Sequence, residues 1–288
     1  MRNFALLTTL ALSLAACTPM TTPTTVSPAP MGTLAYGLST DGQLVTFGLG
    51  NAAASASSKP LTGLGNDSLV DLDINSFNGS LYGFAASGKV YTIDPQSGAA
   101  TLNTTPASAL SVSKTDFNPV ANRVRVFAPG AANFRLSVAP APAAAPTGTV
   151  TTDGTLAYVV GDANAGKTPD LRGAAYTNSY LNGGVVAPST ALYSVDGSAN
   201  TLNLHSTAAG STPAGNFSTL KTVGSLGVTL GSDVGFDITT SGAAGGTNTA
   251  YLVSGSALYT VDLSTGAATP LATLSTSLRA LAVSLSAQ

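Results

Sequence analysis

The phrase that most constrains this chain is Leu81–Thr101, LYGFAASGKVYTIDPQSGAAT, because the chain repeats it. Leu258–Thr269, LYTVDLSTGAAT, nearly duplicates its second half. Leu192–Leu202, LYSVDGSANTL, is a looser copy, and Leu34–Phe47, LAYGLSTDGQLVTF, is another. In each copy apolar and polar residues alternate, which is the period of an extended strand. The alternation stops at Asp-x-x-Ser/Thr-Gly or at Asp-Gly. Glycine adopts positive φ freely and aspartate caps its own backbone, so each stop predicts a tight turn.

A second phrase precedes several copies: Val70–Ile74 (VDLDI), Asp116–Pro119 (DFNP) and Val234–Ile238 (VGFDI). Arg123–Phe127 (RVRVF) is a further alternating strand. No segment carries a helical period of useful length. All 13 acidic residues are Asp and none is Glu, a choice that favours turns over helices. These features predict an all-β, propeller-like domain over residues 33–288. It would hold roughly six blades of short antiparallel strands, at about 40–50 residues per unit.

The N-terminus has its own pattern. Met1-Arg2-Asn3 precedes an apolar run from Phe4 to Ala16, too short to span a bilayer but suited to a signal peptide over residues 1–16. The run ends in Leu14-Ala15-Ala16-Cys17, which resembles the bacterial lipobox, and Cys17 is the sole cysteine. Lipidation at Cys17 is therefore expected, and two or three acyl chains make a stable anchor. Residues 17–32 hold that cysteine and a Pro/Thr-rich tether, TPMTTPTTVSPAP from Thr18 to Pro30. Thr18 is not the aspartate that retains lipoproteins in the inner membrane of enteric bacteria. An outer-membrane lipoprotein of the cell envelope, facing the periplasm or the surface, is the expected placement. With 11 basic against 13 acidic residues and no basic patch, nucleic acid is excluded as a partner.

Taken together, LYGFAASGKVYTIDPQSGAATL, DFNPVANRVRV, DGTLAYVVGDANAGKTPDLRGAAYTNSY, GFDI and LYTVDLSTGAATPL resemble the bacterial domain-of-unknown-function family 4394. The resemblance runs from Leu34 to Val283 and implies export and a repetitive, propeller-like β architecture. It brings no catalytic residues to carry over.

Within Asp153–Tyr180, Gly161-Asp-Ala-Asn-Ala-Gly166-Lys167-Thr168 satisfies the P-loop pattern. A working P-loop needs a helix after it, whereas Pro169–Asn178 heads into another strand, so nucleotide binding is not expected. The same residues read better as a turn, with calcium as the candidate ion: Asp162 and Asn164 have calcium-loop spacing, and Asp170 could add an oxygen. Asp71 and Asp73 project from one face of a strand as paired carboxylates suited to acid–base or metal chemistry, or to a solvated face. His205, the only histidine, cannot build a multi-imidazole metal site and is expected at the surface or in a turn. The recurring tyrosines, Tyr36, Tyr82, Tyr91, Tyr193 and Tyr259, are expected in the core between blades. A stacking surface for sugar or peptide is the alternative, weakened for sugar by the absence of tryptophan.

No catalytic constellation emerges from these residues. The expected function is a lipid-anchored binding or assembly module, partnered by the membrane through its lipid and by an envelope protein or a second copy. The alternative is an exported enzyme, either a hydrolase or a metal-assisted redox enzyme such as an antioxidant, with its site at the propeller mouth. No Gly-x-Ser-x-Gly elbow occurs to support a hydrolase.

Overall fold

The computed structural model describes residues 27–140, 145–207, 215–242 and 245–285. The expected signal peptide and Cys17 lie outside these residues. Strands β1 (Leu34–Ser39) and β2 (Gln43–Gly48) form a hairpin about the Asp41-Gly42 turn, followed by one helical turn, α1 (Ala52–Ser55), and β3 (Ser57–Pro60). A sheet of four strands follows in sequence order: β4 (Leu69–Ile74), β5 (Leu81–Ala85), β6 (Val90–Ile93) and β7 (Ala100–Thr104). The next sheet is β8 (Lys114–Asn118), β9 (Arg123–Ala128), β10 (Ala132–Leu136) and β11 (Val150–Thr155).

The third sheet has five strands. It runs β13 (Leu171–Tyr176), β14 (Leu192–Asp196), β15 (Thr201–Ser206) and β16 (Thr219–Ser225), with the two-residue β12 (Ala157–Tyr158) added parallel to β16 at the edge. Strands β17 (Val234–Thr240), β18 (Asn248–Val261) and β19 (Ala268–Val283) then join the first three in a six-stranded sheet ordered β17-β18-β19-β1-β2-β3. Pairing of β1 with β19, from Ala35↔Val283 to Ser39↔Leu278, fastens the two ends of the domain together.

Among the described residues there are thus four sheets in a propeller-like arrangement, not the six blades expected. The difference arises where the repeat phrase led us to expect separate short strands. There β18 and β19 run on for 14 and 16 residues with register shifts and fuse their units into one wide sheet. The innermost strands β4, β8, β13, β17 and the end of β19 pack side by side into a closed ring.

Closing the ring covers both faces of these strands. Every residue of β8 and of β17 is buried, polar ones included. Apolar clusters fill the seams between sheets. Leu72, Leu81, Ile93 and Ala280 meet in one, and Val195, Phe236, Ile238 and Leu252 meet in another. Tyr82 packs edge-on to Phe117 at 4.9 Å between ring centroids, the inter-blade role expected of the repeated tyrosines. Among the described residues no helix is long and apolar enough to cross a membrane.

Candidate functional site

The ring brings together residues that lie far apart in the chain. The carboxylates of Asp73 on β4, Asp116 on β8 and Asp237 on β17 offer oxygens all within 4.8 Å of one another, and all three side chains are buried. The Asp71–Asp73 pair does not lie on a solvated face. Both residues point into the interior, because the ring covers the face that an isolated strand would leave to water.

Each carboxylate reaches the backbone of another innermost strand. Asp71 accepts the Thr115 N–H at 2.7 Å, Asp73 that of Phe117 at 2.6 Å, Asp116 that of Tyr176 at 3.0 Å and Asp237 that of Val283 at 2.6 Å. Lys114 is also buried; its ammonium donates to the Val234 and Arg279 carbonyls at 2.6 and 2.7 Å and lies 4.0 Å from Asp71. Among the described residues Asp73, Asp116 and Asp237 have no ion-pair partner.

Burial is the main cause of the raised pKa of all four carboxyls. Neighbouring carboxylates push Asp73 and Asp116 further, well above the usual range. Asp237 rises to about 6, held back by the N–H groups of Val283 and Ile238. Lys114 partly offsets the effect at Asp71, while burial lowers its own pKa. A close set of hard oxygen donors is the chemistry a divalent cation requires, so Asp73, Asp116 and Asp237 are the residues that could hold one. Asp116 and Asp237 were not singled out by sequence reasoning. The available signal was the shared phrase, which sets an Asp in Val70–Ile74, Asp116–Pro119 and Val234–Ile238 alike.

One end of the ring is strapped by the connection from β13 to β14. Asn182 donates its N–H to the Ser76 carbonyl after β4, Ala187 donates to Pro119 after β8, and Ser179 accepts the Thr240 N–H at the end of β17. Beside this strap a groove of about 460 Å³ opens between the β4–β7 sheet and the six-stranded sheet. Ile74, Leu81, Ile93, Leu181 and Leu285 make its apolar lining; Tyr36, Ser80, Thr92, Asp94, Thr101 and Ser284 supply polar groups.

The loop with the P-loop pattern contains turns and no helix. Asp162 accepts the N–H of Asn164, the N–H of Thr222 and the Thr222 hydroxyl. Burial pushes its carboxyl up, but these bonds outweigh that and hold it below the usual value. Asn164 bonds Thr222 and accepts from Lys167, so the lysine closes on its own loop. Asp170 is engaged elsewhere, paired with Arg172 at 2.7 Å. The fold therefore brings Asp162 and Asn164 together around Thr222 and commits the Asp170 carboxylate to the arginine.

His205 is buried on β15 and not at the surface, with its ring against Phe127. Its Nε2 lies 2.7 Å from the Ser194 hydroxyl and its Nδ1 3.0 Å from the Phe217 carbonyl. Burial pushes its pKa down to about 4. The pair has the contact of a nucleophile and its base, but Ser194 is fully buried and the third partner is a carbonyl oxygen, not a carboxylate.

A closed ring of twisted antiparallel sheets, with polar side chains of the innermost strands turned inward, defines a β-propeller-like protein. The chain belongs to the family described as "Domain of unknown function (DUF4394)", whose model matches residues 43–282. No curated protein matches it. Among solved structures, a chain of a nidogen/laminin complex is similar over 89% of this chain and 99% of its own, at 10% identity and a TM-score of 0.50. At that identity the similarity concerns the fold alone. A structural-genomics protein of unknown function from Bacteroides thetaiotaomicron matches 82% of this chain at 14% identity and a TM-score of 0.45. An auxiliary nutrient binding protein from the same species matches 84% at 10% identity and a TM-score of 0.44. The matches cover only 54% and 57% of those two chains.

Proposed function

We propose that this protein is a binding or assembly module of the bacterial cell envelope. In this reading acyl chains on Cys17 hold it at the outer membrane, and the Pro/Thr-rich segment spaces the domain from the lipid. The observation that carries the reading is the groove of about 460 Å³ beside the strap, a size and a mixed apolar and polar lining suited to a ligand. The described end of the tether supports it too. Asn51 donates to the Ala29 carbonyl and accepts the Met31 N–H at 2.8 Å, so the chain leaves the domain from a tied position. A photoreactive residue in place of Thr92, at the groove, should give a defined cross-linked adduct in intact cells. The same residue at the fully exposed Val160, in the turn after β12, should not. Absence of any adduct from position 92 in membrane-associated protein would count against the reading.

The axial carboxylates favour a second reading, an exported enzyme with metal-assisted chemistry. Asp73, Asp116 and Asp237 would hold a divalent cation there and balance its positive charge. Elemental analysis of protein purified without chelators tests this. Sub-stoichiometric metal in the wild type sinks it.

A further inference from the structure

The groove's lining narrows what it can take. It contains no lysine, arginine or histidine, and its one carboxylate, Asp94, is already bonded to the Gln96 N–H and the Ser97 hydroxyl. Lys59 stands behind the same turn, with its ammonium donated to the Pro95 and Gln96 carbonyls. An anionic ligand would leave water for a site with no cation to receive it, at a cost that selects against it.

The hydroxyls, in contrast, are uncommitted. Among the described residues the side-chain hydroxyls of Tyr36, Ser80, Thr101 and Ser284 make no hydrogen bond, and Thr92 makes only a long one, 3.4 Å to the Thr101 carbonyl. Tyr36 is the most telling of these. Its residue is 8% exposed, so its ring belongs to the core, yet its hydroxyl donates to no acceptor among the described residues. The hydroxyl itself is not enclosed: it opens on the groove, where a ligand can meet it as donor or acceptor. An extended peptide has a poorer claim, because the strand edge beside the groove is taken. Thr62 donates to the Gly98 carbonyl and accepts the Ala100 N–H.

We propose that this groove binds an uncharged, hydroxyl-rich ligand of neutral saccharide chemistry, through the hydroxyls of Tyr36, Ser80, Thr92, Thr101 and Ser284. The apolar face of the sugar lies on Ile74, Leu81 and Leu181. Ring stacking on tyrosine plays no part, since Tyr36 offers only its hydroxyl. The inference rests on the binding-module reading and names its ligand class.

Isothermal titration calorimetry on the purified full chain tests it. The probes are maltose, cellobiose and N,N′-diacetylchitobiose, with glucuronate and glucose 6-phosphate as anionic counterparts and an uncharged extended peptide as the competing class. At least one neutral disaccharide should bind and neither anion should. Tyr36→Phe, which keeps the ring and removes one hydroxyl, should weaken binding roughly fivefold, the worth of one hydrogen bond. Thr92→Arg, which fills the groove from its rim, should abolish it. A melting temperature near that of the wild type confirms that each variant is folded. The proposal is overturned if no neutral saccharide binds, if the anions bind equally well, or if Tyr36→Phe binds like the wild type. Peptide binding that Thr92→Arg abolishes would overturn the saccharide class and leave the module reading standing. No binding of any probe, with no adduct from position 92 in cells, would overturn both.

Discussion

Asp73 accepts the backbone N–H of Phe117 at 2.6 Å, which ties innermost strand β4 to β8 through a side chain where no sheet hydrogen bond is available. Asp116 makes the same tie from β8 to Tyr176 of β13, and Asp237 makes it from β17 to Val283 of β19. The ring is therefore laced by aspartates that satisfy backbone donors across the seams. Its cost is electrostatic, because these carboxylates are brought out of water and toward one another.

That cost sets the sign of the pH dependence. Asp71, Asp73, Asp116 and Asp237 all have raised folded pKa values, with Asp237 at about 6. A raised folded pKa favours the fold at low pH, and that contribution is lost as pH climbs through the folded value. His205 acts oppositely. Pushed down to about 4 from an ordinary 6.5, it weakens the fold as pH falls below 6.5. Asp41, Asp67, Asp94 and Asp262 have lowered values and stay ionised in both states at neutral pH. Between about pH 4 and 6.5 the aspartates and His205 act in opposite directions, so the aspartate effect is read as the difference between the wild type and a variant that keeps His205. Asp116→Asn keeps an acceptor for Tyr176 and removes one charge. Its midpoint should gain on that of the wild type as pH rises from 4 to 8, by a few degrees at about 2–4 °C per kcal/mol. Calorimetry of both proteins across that range decides, and a difference between them that does not change with pH would show that Asp116 is ionised alike in the folded and unfolded chain.

The seam between β17 and β19 makes a second demand. A Cβ built on Gly235 would lie 2.4 Å from the Leu281 nitrogen and 2.5 Å from the Ala280 carbonyl carbon, both backbone atoms with no rotamer to yield. Gly235→Ala should therefore force two innermost strands apart and cost about 2–3 kcal/mol, the upper part of the overpacking range. At Gly231 the nearest atom to an added Cβ is 3.7 Å away, so Gly231→Ala serves as the control. Urea unfolding should show a lower midpoint for the first variant and little change for the second.

The strands were legible because a strand with a period of two and a Gly-bearing turn declares itself locally. Asp94-Pro-Gln-Ser-Gly98 and Asp262-Leu-Ser-Thr-Gly266 both close hairpins where the repeated phrase predicts them. The number of sheets was not legible from length. Residues 177–191 are spent on the strap, and β18 and β19 extend through positions where the phrase suggested breaks. The axial site was half legible. The second repeated phrase carries an aspartate in each of the three strands, yet only Asp71 and Asp73 stood out as a pair, because which face of a strand meets which neighbour is decided by ring closure. His205 carried no local signal for burial, since its partners Ser194 and Phe217 come from a neighbouring strand and a loop.

Arg125 anchors the β8–β11 sheet to the next one. Its guanidinium is fully buried, paired with Asp153, and donates to Tyr176, Asn133 and the carbonyls of Gly215 and Asn216. Asp153 is also gripped by Arg135 at 2.7 and 2.8 Å. Removing one partner of a buried pair strands the other, so Arg125→Ala should cost about 3–5 kcal/mol. Arg125→Ala with Asp153→Ala should cost less than the sum of the two single changes. A double-mutant cycle from urea midpoints measures that coupling, and strict additivity would show that the pair is not a unit.

Among the described residues the Ser194–His205 contact is the arrangement that could be mistaken for a hydrolase, and it has a direct chemical test. A serine nucleophile must meet its substrate, whereas Ser194 is fully buried and its hydroxyl is held 2.7 Å from Nε2 inside the sheet. The imidazole has the orientation of a triad base, but its third partner is the weaker one. Its Nδ1 donates to the Phe217 carbonyl, and an uncharged carbonyl stabilises a developing imidazolium less than a carboxylate does. Burial lowers the pKa to about 4, which makes the ring a poor proton acceptor at neutral pH. A fluorophosphonate probe should therefore leave the folded protein unlabelled at Ser194, and Ser194→Ala should remove no turnover of ester substrates. Disrupting the contact should instead register as lost stability. His205→Ala should lower the melting midpoint by several degrees, because it opens a cavity beside Phe127 and strands the Ser194 hydroxyl. Stoichiometric labelling of Ser194 in folded protein, read by mass spectrometry of the labelled peptide, would reverse this assignment and restore the hydrolase.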